Sequence, residues 1–279
     1  VIRRLLPCEK HARRITLLGI GASLAFMAAL MLGLADGDQA SEAEAPPTTT
    51  YSYSRLGHRA LLELLGKLGV PAAASQHASV SRACNHLLIV AEPSGSDAML
   101  SQLVVDAPCP KAILFVLPKW EGEVNAEGFV RNPSLLSTGR VHAVLAALEL
   151  ENSSVARVAS PSTWKTAGAP VPIAAVADLQ LLGIDDALEP VISTEAGGIL
   201  LARHAGYDNV YILADPDFIN NQGLQRGQAA FAVGLLQYLG ENSAVVFDET
   251  VHGLSRTPSV WQALFRFPLA LFAAHLVVV

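Results

Sequence analysis

The sequence is 279 residues long, enough for one large domain or two small ones, and carries a formal net charge of −6. That sign, with no Lys/Arg cluster beyond the first fourteen residues, excludes a nucleic-acid binder, because phosphate recognition needs a concentrated basic face. Just over half the residues are apolar and only 16% are charged, a balance that leans towards membrane association.

In chain order, Ile15–Ala35 comes first, about 21 residues without a charge, where about 20 suffice to cross a hydrocarbon core. A signal peptide is the competing reading, but its apolar stretch is roughly 7–15 residues, so the run reads as an uncleaved transmembrane helix. Arg3, Arg4, Lys10, Arg13 and Arg14 precede it, and Asp36, Asp38, Glu42 and Glu44 follow. The positive-inside rule then puts the tail 1–14 in the cytoplasm and the main domain on the extracytoplasmic side of the cytoplasmic (inner) membrane. Residues 36–52, small, acidic and Pro/Thr-rich, read as a flexible linker. A folded domain is expected over 53–262. At the far end, 263–279 closes on Phe267–Val279, apolar but too short to span, and reads as the start of a truncated second transmembrane helix.

Within the domain, Ser54 is placed to cap a helix over Arg55–Leu68, with leucines recurring at helical spacing and Gly69 and Pro71 as the stop. Leu87–Ala91 and Ala112–Leu117 are short continuous apolar runs, as expected of strands covered on both faces. A helix is expected around Ala98–Val105. Residues 120–195 suggest short strands and loops. Gly198–Arg203, Val210–Leu213 and Ala244–Phe247 read as strands, and Arg226–Leu239 as an amphipathic helix. This alternation predicts an α/β fold, a doubly wound and mainly parallel sheet with helices on both faces.

Ligands in such sheets bind beyond the carboxyl ends of the strands. Three segments qualify: Glu92–Ser96, Asp215–Asp217 with Asn220, Asn221 and Gly223, and Asp248–Gly253. The last two concentrate Asp215, Asp217, Asn220, Asn221, Asp248, Glu249 and His252, side chains able to bind a ligand or work as acid–base groups. Against this, Asp-Pro and Asn/Gly sequences form turns, Asp217 or Asn221 could cap the helix at Arg226, and Asp248 could cap the turn after it. The spacing matches no specific metal motif, and no cofactor is expected, since a Walker A segment, G-x-G-x-x-G and H-E-x-x-H are all missing. Glu92-Pro93-Ser94-Gly95 lacks the first glycine of a nucleophile elbow, so Ser94 reads as a loop or cap residue.

Cys84 and Cys109 each stand three residues before an expected buried strand. If those strands are parallel neighbours, about 4.8 Å apart, the two thiols lie side by side and can bridge in an oxidising compartment. Two small buried thiols are the alternative. His58 reads as a solvated residue on the first helix, and Trp120 and Trp164 as packing residues near loops.

The segments Tyr53–Leu61, Leu88–Pro93, Leu213–Leu224 (LADPDFINNQGL) and Phe247–Gly253 (FDETVHG), between an N-terminal anchor and a closing apolar run, resemble bacterial proteins carrying the domain of unknown function 4350. The resemblance is most specific in DPD-x-x-NN-x-GL and FDE-x-x-HG. It implies a flavodoxin-like fold similar to class I glutamine amidotransferases, without the activity, because the turn after Ala91 has no nucleophilic Cys. It also implies a place in a membrane system with a MoxR-type AAA+ ATPase.

The function expected is a non-enzymatic membrane-anchored binding or assembly module, its partners the membrane and other membrane or extracytoplasmic proteins. The alternatives are a metal-assisted hydrolase using the same Asp/Glu/His cluster, and a structural subunit in which that cluster only fixes loops.

Overall fold

A computed structural model of the chain describes residues 46–255, apart from 78, 94–96, 106–107, 126–128, 162 and 173. The expected cytoplasmic tail (1–14), the expected transmembrane helix (15–35), most of the expected linker and the run 263–279 lie outside the described residues. Among the described residues, no helix is long and apolar enough to cross a membrane.

The described residues fold around one ten-stranded sheet. Its parallel core takes β1 (Ala72–Ser75), β12 (Val245–Asp248), β2 (Leu87–Ala91), β3 (Ala112–Val116) and β11 (Val210–Leu213), in that spatial order. The apolar runs of β2 and β3 are explained by burial on both faces. Leu87, Ile89, Ala91, Ala112, Leu114 and Val116 face one core, while Leu88, Val90, Ile113 and Phe115 face the other. The first core is closed by α1 (Arg59–Lys67), through Leu61 and Leu65, and α5 (Ala229–Gly240), through Phe231, Leu235, Leu236 and Leu239. The second is closed by α3 (Asp97–Val105), through Leu100, Leu103 and Val104, and α4 (Thr138–Ala147), through Val141, Val144 and Leu145. Helices on both faces of a parallel core make this an α/β fold compatible with a doubly wound architecture. A four-residue helix, α2 (Ser79–Arg82), completes the set used below.

Beyond β11 the sheet turns antiparallel. β10 (Ile199–His204) pairs antiparallel with β11, with β8 (Leu179–Leu182) and with β9 (Leu188–Thr194). β6 (Val155–Val158) extends β8, and β7 (Trp164–Thr166) extends β9. The reversals are tight, and short connections force antiparallel pairing. Gly197, at φ +91°, makes the one between β9 and β10. A separate hairpin joins β4 (Trp120–Val124) to β5 (Val130–Leu135). These strands populate the stretch where short strands and loops were expected, but α4 was not foreseen there.

Two expectations need correction. The first helix begins at Arg59, not Arg55, and Ser54 does not cap it; His58 stands at the cap without a side-chain bond. The cap comes from across the chain, where Asn221 Oδ1 accepts the Ala60 amide at 2.8 Å. The linker also ends sooner than expected. Thr49 and Thr50 are buried, and Thr50 bonds Glu249 through its amide and its hydroxyl, so 46–52 belong to the folded unit.

Cys84 and Cys109 form a disulfide, with Cα atoms 4.8 Å apart. β2 and β3 are parallel neighbours with Leu87 opposite Ala112, so the two cysteines reach the same level at the amino ends of the strands. The bridge closes a sequence separation of 25 residues. Replacing both cysteines by Ser is expected to lower stability by about 3 kcal/mol, read as a lower urea midpoint with an unchanged slope.

Candidate functional site

The polar segments that begin at Glu92, Asp215 and Asp248 leave the carboxyl edge of the parallel core, with residues 94–96 outside the described residues. β3 and β11 run in register, Val116 opposite Leu213, so the segments following them leave the sheet side by side. One delivers Lys119, the other Asp215 and Asp217. Lys119 is fully buried, and its Nζ donates to Asp215 Oδ2 at 2.7 Å, Asp217 Oδ2 at 2.8 Å and the Ala177 carbonyl at 3.0 Å. Asp217 also accepts from Trp120 Nε1 at 2.9 Å and Asn220 Nδ2 at 2.8 Å. Asp215 accepts from the amides of Asp217 and Gln180. Every carboxylate oxygen of the pair thus has a protein donor. Burial pushes the Asp215 carboxyl up to about 7, opposed by the Lys119 charge and reinforced by that of Asp217.

Lys119 was not singled out as a site residue in the sequence, where it stands in the turn Pro118-Lys119-Trp120 after an expected strand. Its signal is a lone cation directly after a buried apolar strand, beside a parallel strand that ends in two carboxylates. Asp217 does not cap the helix at Arg226; Asp215 caps the 3₁₀ turn Pro216–Phe218 instead.

The two asparagines hold the chain. Asn220 Oδ1 accepts the Gly223 amide, capping the turn Asn221–Gly223. Asn221 donates to the carbonyls of Ser52 and Ser54, besides capping α1. Gly223 is required here, because a Cβ would come within 1.7 Å of the Asp217 carbonyl oxygen. The chain then passes through a π-helical stretch, Leu224–Gln228, with Gly227 at φ +102°, before α5 begins. That irregularity moves the expected helix start from Arg226 to Ala229.

Around β12 and β2 the bonding is less complete. Asp248 Oδ1 accepts from Ser79, and from the Thr250 amide and hydroxyl, so the turn cap is made, but Oδ2 has no partner among the described residues. Glu249 bonds Thr50 through one oxygen and His252 Nδ1 at 3.0 Å through the other. Burial raises the Glu249 carboxyl, yet its bonds to His252 and Thr50 outweigh this and hold it below the usual carboxylate range. His252 Nε2, also buried, has no partner among the described residues.

Glu92, directly after β2, sits at φ +44°, a conformation that side-chain-bearing residues adopt only when their surroundings hold them there. His58 Nε2 lies 3.3 Å from its Oε1. Both side chains are buried, so His58 is not the solvated residue expected; the segment before α1 folds it against the strand end. Among the described residues, Glu92 Oε2 and His58 Nδ1 have no partner. Burial pushes the Glu92 carboxyl up; the bond to His58 opposes this. Glu92 also borders a cleft of about 240 Å³ between the ends of β2 and β3, helix α4 and the β4–β5 hairpin, with Leu100, Trp120, Leu136 and Val144 among its walls.

Among the described residues, no group of three or more His, Cys, Asp or Glu side chains is arranged to hold a metal ion. No protein-family model matches the chain, and no curated protein sequence matches it.

Lys119→Met is expected to lower stability by about 3–5 kcal/mol, because two carboxylates stay buried without their cation; urea unfolding checks it. Asp215, raised to about 7 from an unfolded value of 3.8, stabilises fully below pH 4 and loses that contribution as pH rises through 7. Stability measured between pH 4 and 8 should therefore fall more steeply in the wild type than in Asp215→Asn.

Proposed function

We propose that this chain is a non-enzymatic binding or assembly module, anchored in the cytoplasmic membrane with its α/β domain on the extracytoplasmic side. The observation that carries the reading is the contrast at the carboxyl edge of the sheet. Asp215, Asp217, Asn220 and Asn221 spend their polar atoms on the fold. Glu92, beside an open cleft, keeps a buried oxygen without a partner among the described residues. A recess lined by apolar groups with a few convergent polar atoms is what a ligand site requires.

Location and family rest on separate supports. The Cys84–Cys109 disulfide suits an oxidising compartment, which agrees with an extracytoplasmic domain. The parallel core with helices on both faces is what a flavodoxin-like relative of class I glutamine amidotransferases would have, and the resemblance to the domain of unknown function 4350 supplies the link to a MoxR-type ATPase system. In this reading the strand-end loops bearing Asp248, Glu249 and His252 border the recognition face, and the partners are membrane or extracytoplasmic proteins or the small molecules they carry.

The test is thermal unfolding of the full chain in detergent against divalent metals with and without chelator, nucleotides, muramyl peptides and simple amines. A rise of several degrees is expected with one class, lost in Ala143→Phe, which fills the cleft from α4, and with the ligand recovered chemically unchanged. Turnover of that ligand would overturn the non-enzymatic reading.

A further inference from the structure

We infer that the free edge of β6 docks a second copy of this chain, the two β6 strands pairing antiparallel about a two-fold axis at Ala156. The inference goes beyond the binding reading, since it concerns a different surface from the cleft beside Glu92.

Among the described residues, β6 pairs with β8 alone, so one side of its backbone is open. Two bonds fix which groups face out. The Gly183 amide donates to the Ser154 carbonyl at 2.8 Å, and the Gln180 amide turns away from β6 to Asp215. Alternation in an antiparallel ladder then sends the amides and carbonyls of Ala156 and Val158 to β8, and those of Val155 and Arg157 outwards. Such a row is a template for another strand, and protein edges guard it with Lys, Pro or a bulge. β6 has no Lys or Pro, and its register with β8 is unbroken. Its one charged side chain, Arg157, is spent on Gln180 Oε1, to which it donates at 3.0 and 3.2 Å. The flank of this edge is apolar. Ala156, Val158, Leu181 and Ile184 line one open recess of about 670 Å³. Ile184, 79% exposed, is the most exposed large apolar side chain among the described residues.

Register and charge name the occupant. With the axis at Ala156, Val155 of each copy meets Arg157 of the other, and these are the two residues whose backbone faces out, so both pairs exchange both of their bonds. A two-fold at Arg157 would oppose two cations, which destabilises a strand pair. One at Val155 would set Arg157 against Ser153, which lies before the strand begins. At the chosen axis Ala156 faces its own counterpart, and its small side chain admits the close approach of a pair without hydrogen bonds. Val158 comes to lie opposite Ser154 of the second copy, on the face where the apolar recess opens. The chain's own β6 thus supplies a strand of matching length, bonding pattern and charge.

Analytical ultracentrifugation of the full chain in density-matched detergent is expected to show a concentration-dependent dimer. Ala156 is exposed, so Ala156→Glu and Ala156→Lys should keep the fold. Each should weaken the dimer about fivefold by opposing like charges at the axis, and an equimolar mixture of the two should restore it. In a Cys8→Ser background, Ala156→Cys should give a covalent dimer on mild oxidation. Val158→Cys, about 13 Å from its counterpart in this register, should not. A monomer at every concentration, a dimer that Ala156→Glu leaves unchanged, or equal crosslinking at positions 156 and 158 overturns the inference. None of these outcomes touches the ligand response of the cleft, which Ala143→Phe tests separately.

Discussion

Much of this fold depends on a single buried cation. Lys119 leaves β3 and reaches across to Asp215 and Asp217 at the end of β11, while the Ala177 carbonyl brings in the segment before β8. Gln180 on β8 joins the network by donating its amide to Asp215 and its side chain to the carbonyls of Pro118 and Ala214. The parallel core and the antiparallel wing are therefore fastened at one place, over the strand ends. Apolar packing alone would leave this junction poorly specified, since hydrophobic contacts are not directional. A charged network carries direction, and in a dry interior it is costly to leave half-made, so only one arrangement of the three chain segments satisfies it.

The two ends of the parallel core are treated differently. At the amino ends, the disulfide ties the segments entering β2 and β3, removing freedom from the unfolded chain. At the carboxyl ends the ties are polar and come from distant segments: Thr50 to Glu249, Asn221 to Ala60, Ser79 to Asp248. Crosslinking one end covalently leaves the other to be built from adaptable side chains, which is also the end where parallel sheets carry their ligands.

How much of this was legible follows from the physics of each signal. β2, β3, β11 and β12 were readable because strands buried on both faces leave continuous apolar runs. β1 was not: Ala72–Ser75 has no large apolar residue, and it forms because β12 offers it an edge. The wing strands and α4 were obscured because half-exposed strands and a helix with mixed faces give weak periodicity. Among site residues, the carboxylates were legible as strand-end groups, but their roles were not, since Lys119, the donor that silences Asp215 and Asp217, lies 96 and 98 positions away. The exposure of His58 was misjudged for a similar reason. Helical spacing put it on an outer face, whereas the helix starts only after it. Glu92 was passed over as part of a turn, and its left-handed backbone has no signature in a non-glycine residue.

The polar groups at the carboxyl edge thus divide into a closed network and an open one. Around Lys119 each carboxylate oxygen has a donor, and the arrangement has nothing left to offer. Around β2 and β12 each pairing is half complete: Glu92 with His58, Glu249 with His252, and Asp248 with Ser79 and Thr250 each leave a buried polar atom unanswered. Proteins complete their buried polar groups almost everywhere, so a cluster of exceptions needs a cause. Among the described residues, four of the six such atoms lie at the ends of two neighbouring strands, on the edge where ligands approach parallel sheets, while His86 Nδ1 and Gln228 Oε1 lie elsewhere. The same fold satisfies an equally buried set of charges one strand beyond β3. What separates the two networks is that every carboxylate oxygen around Lys119 has a donor and those of Glu92 and Asp248 do not, which is the contrast the proposed binding role rests on.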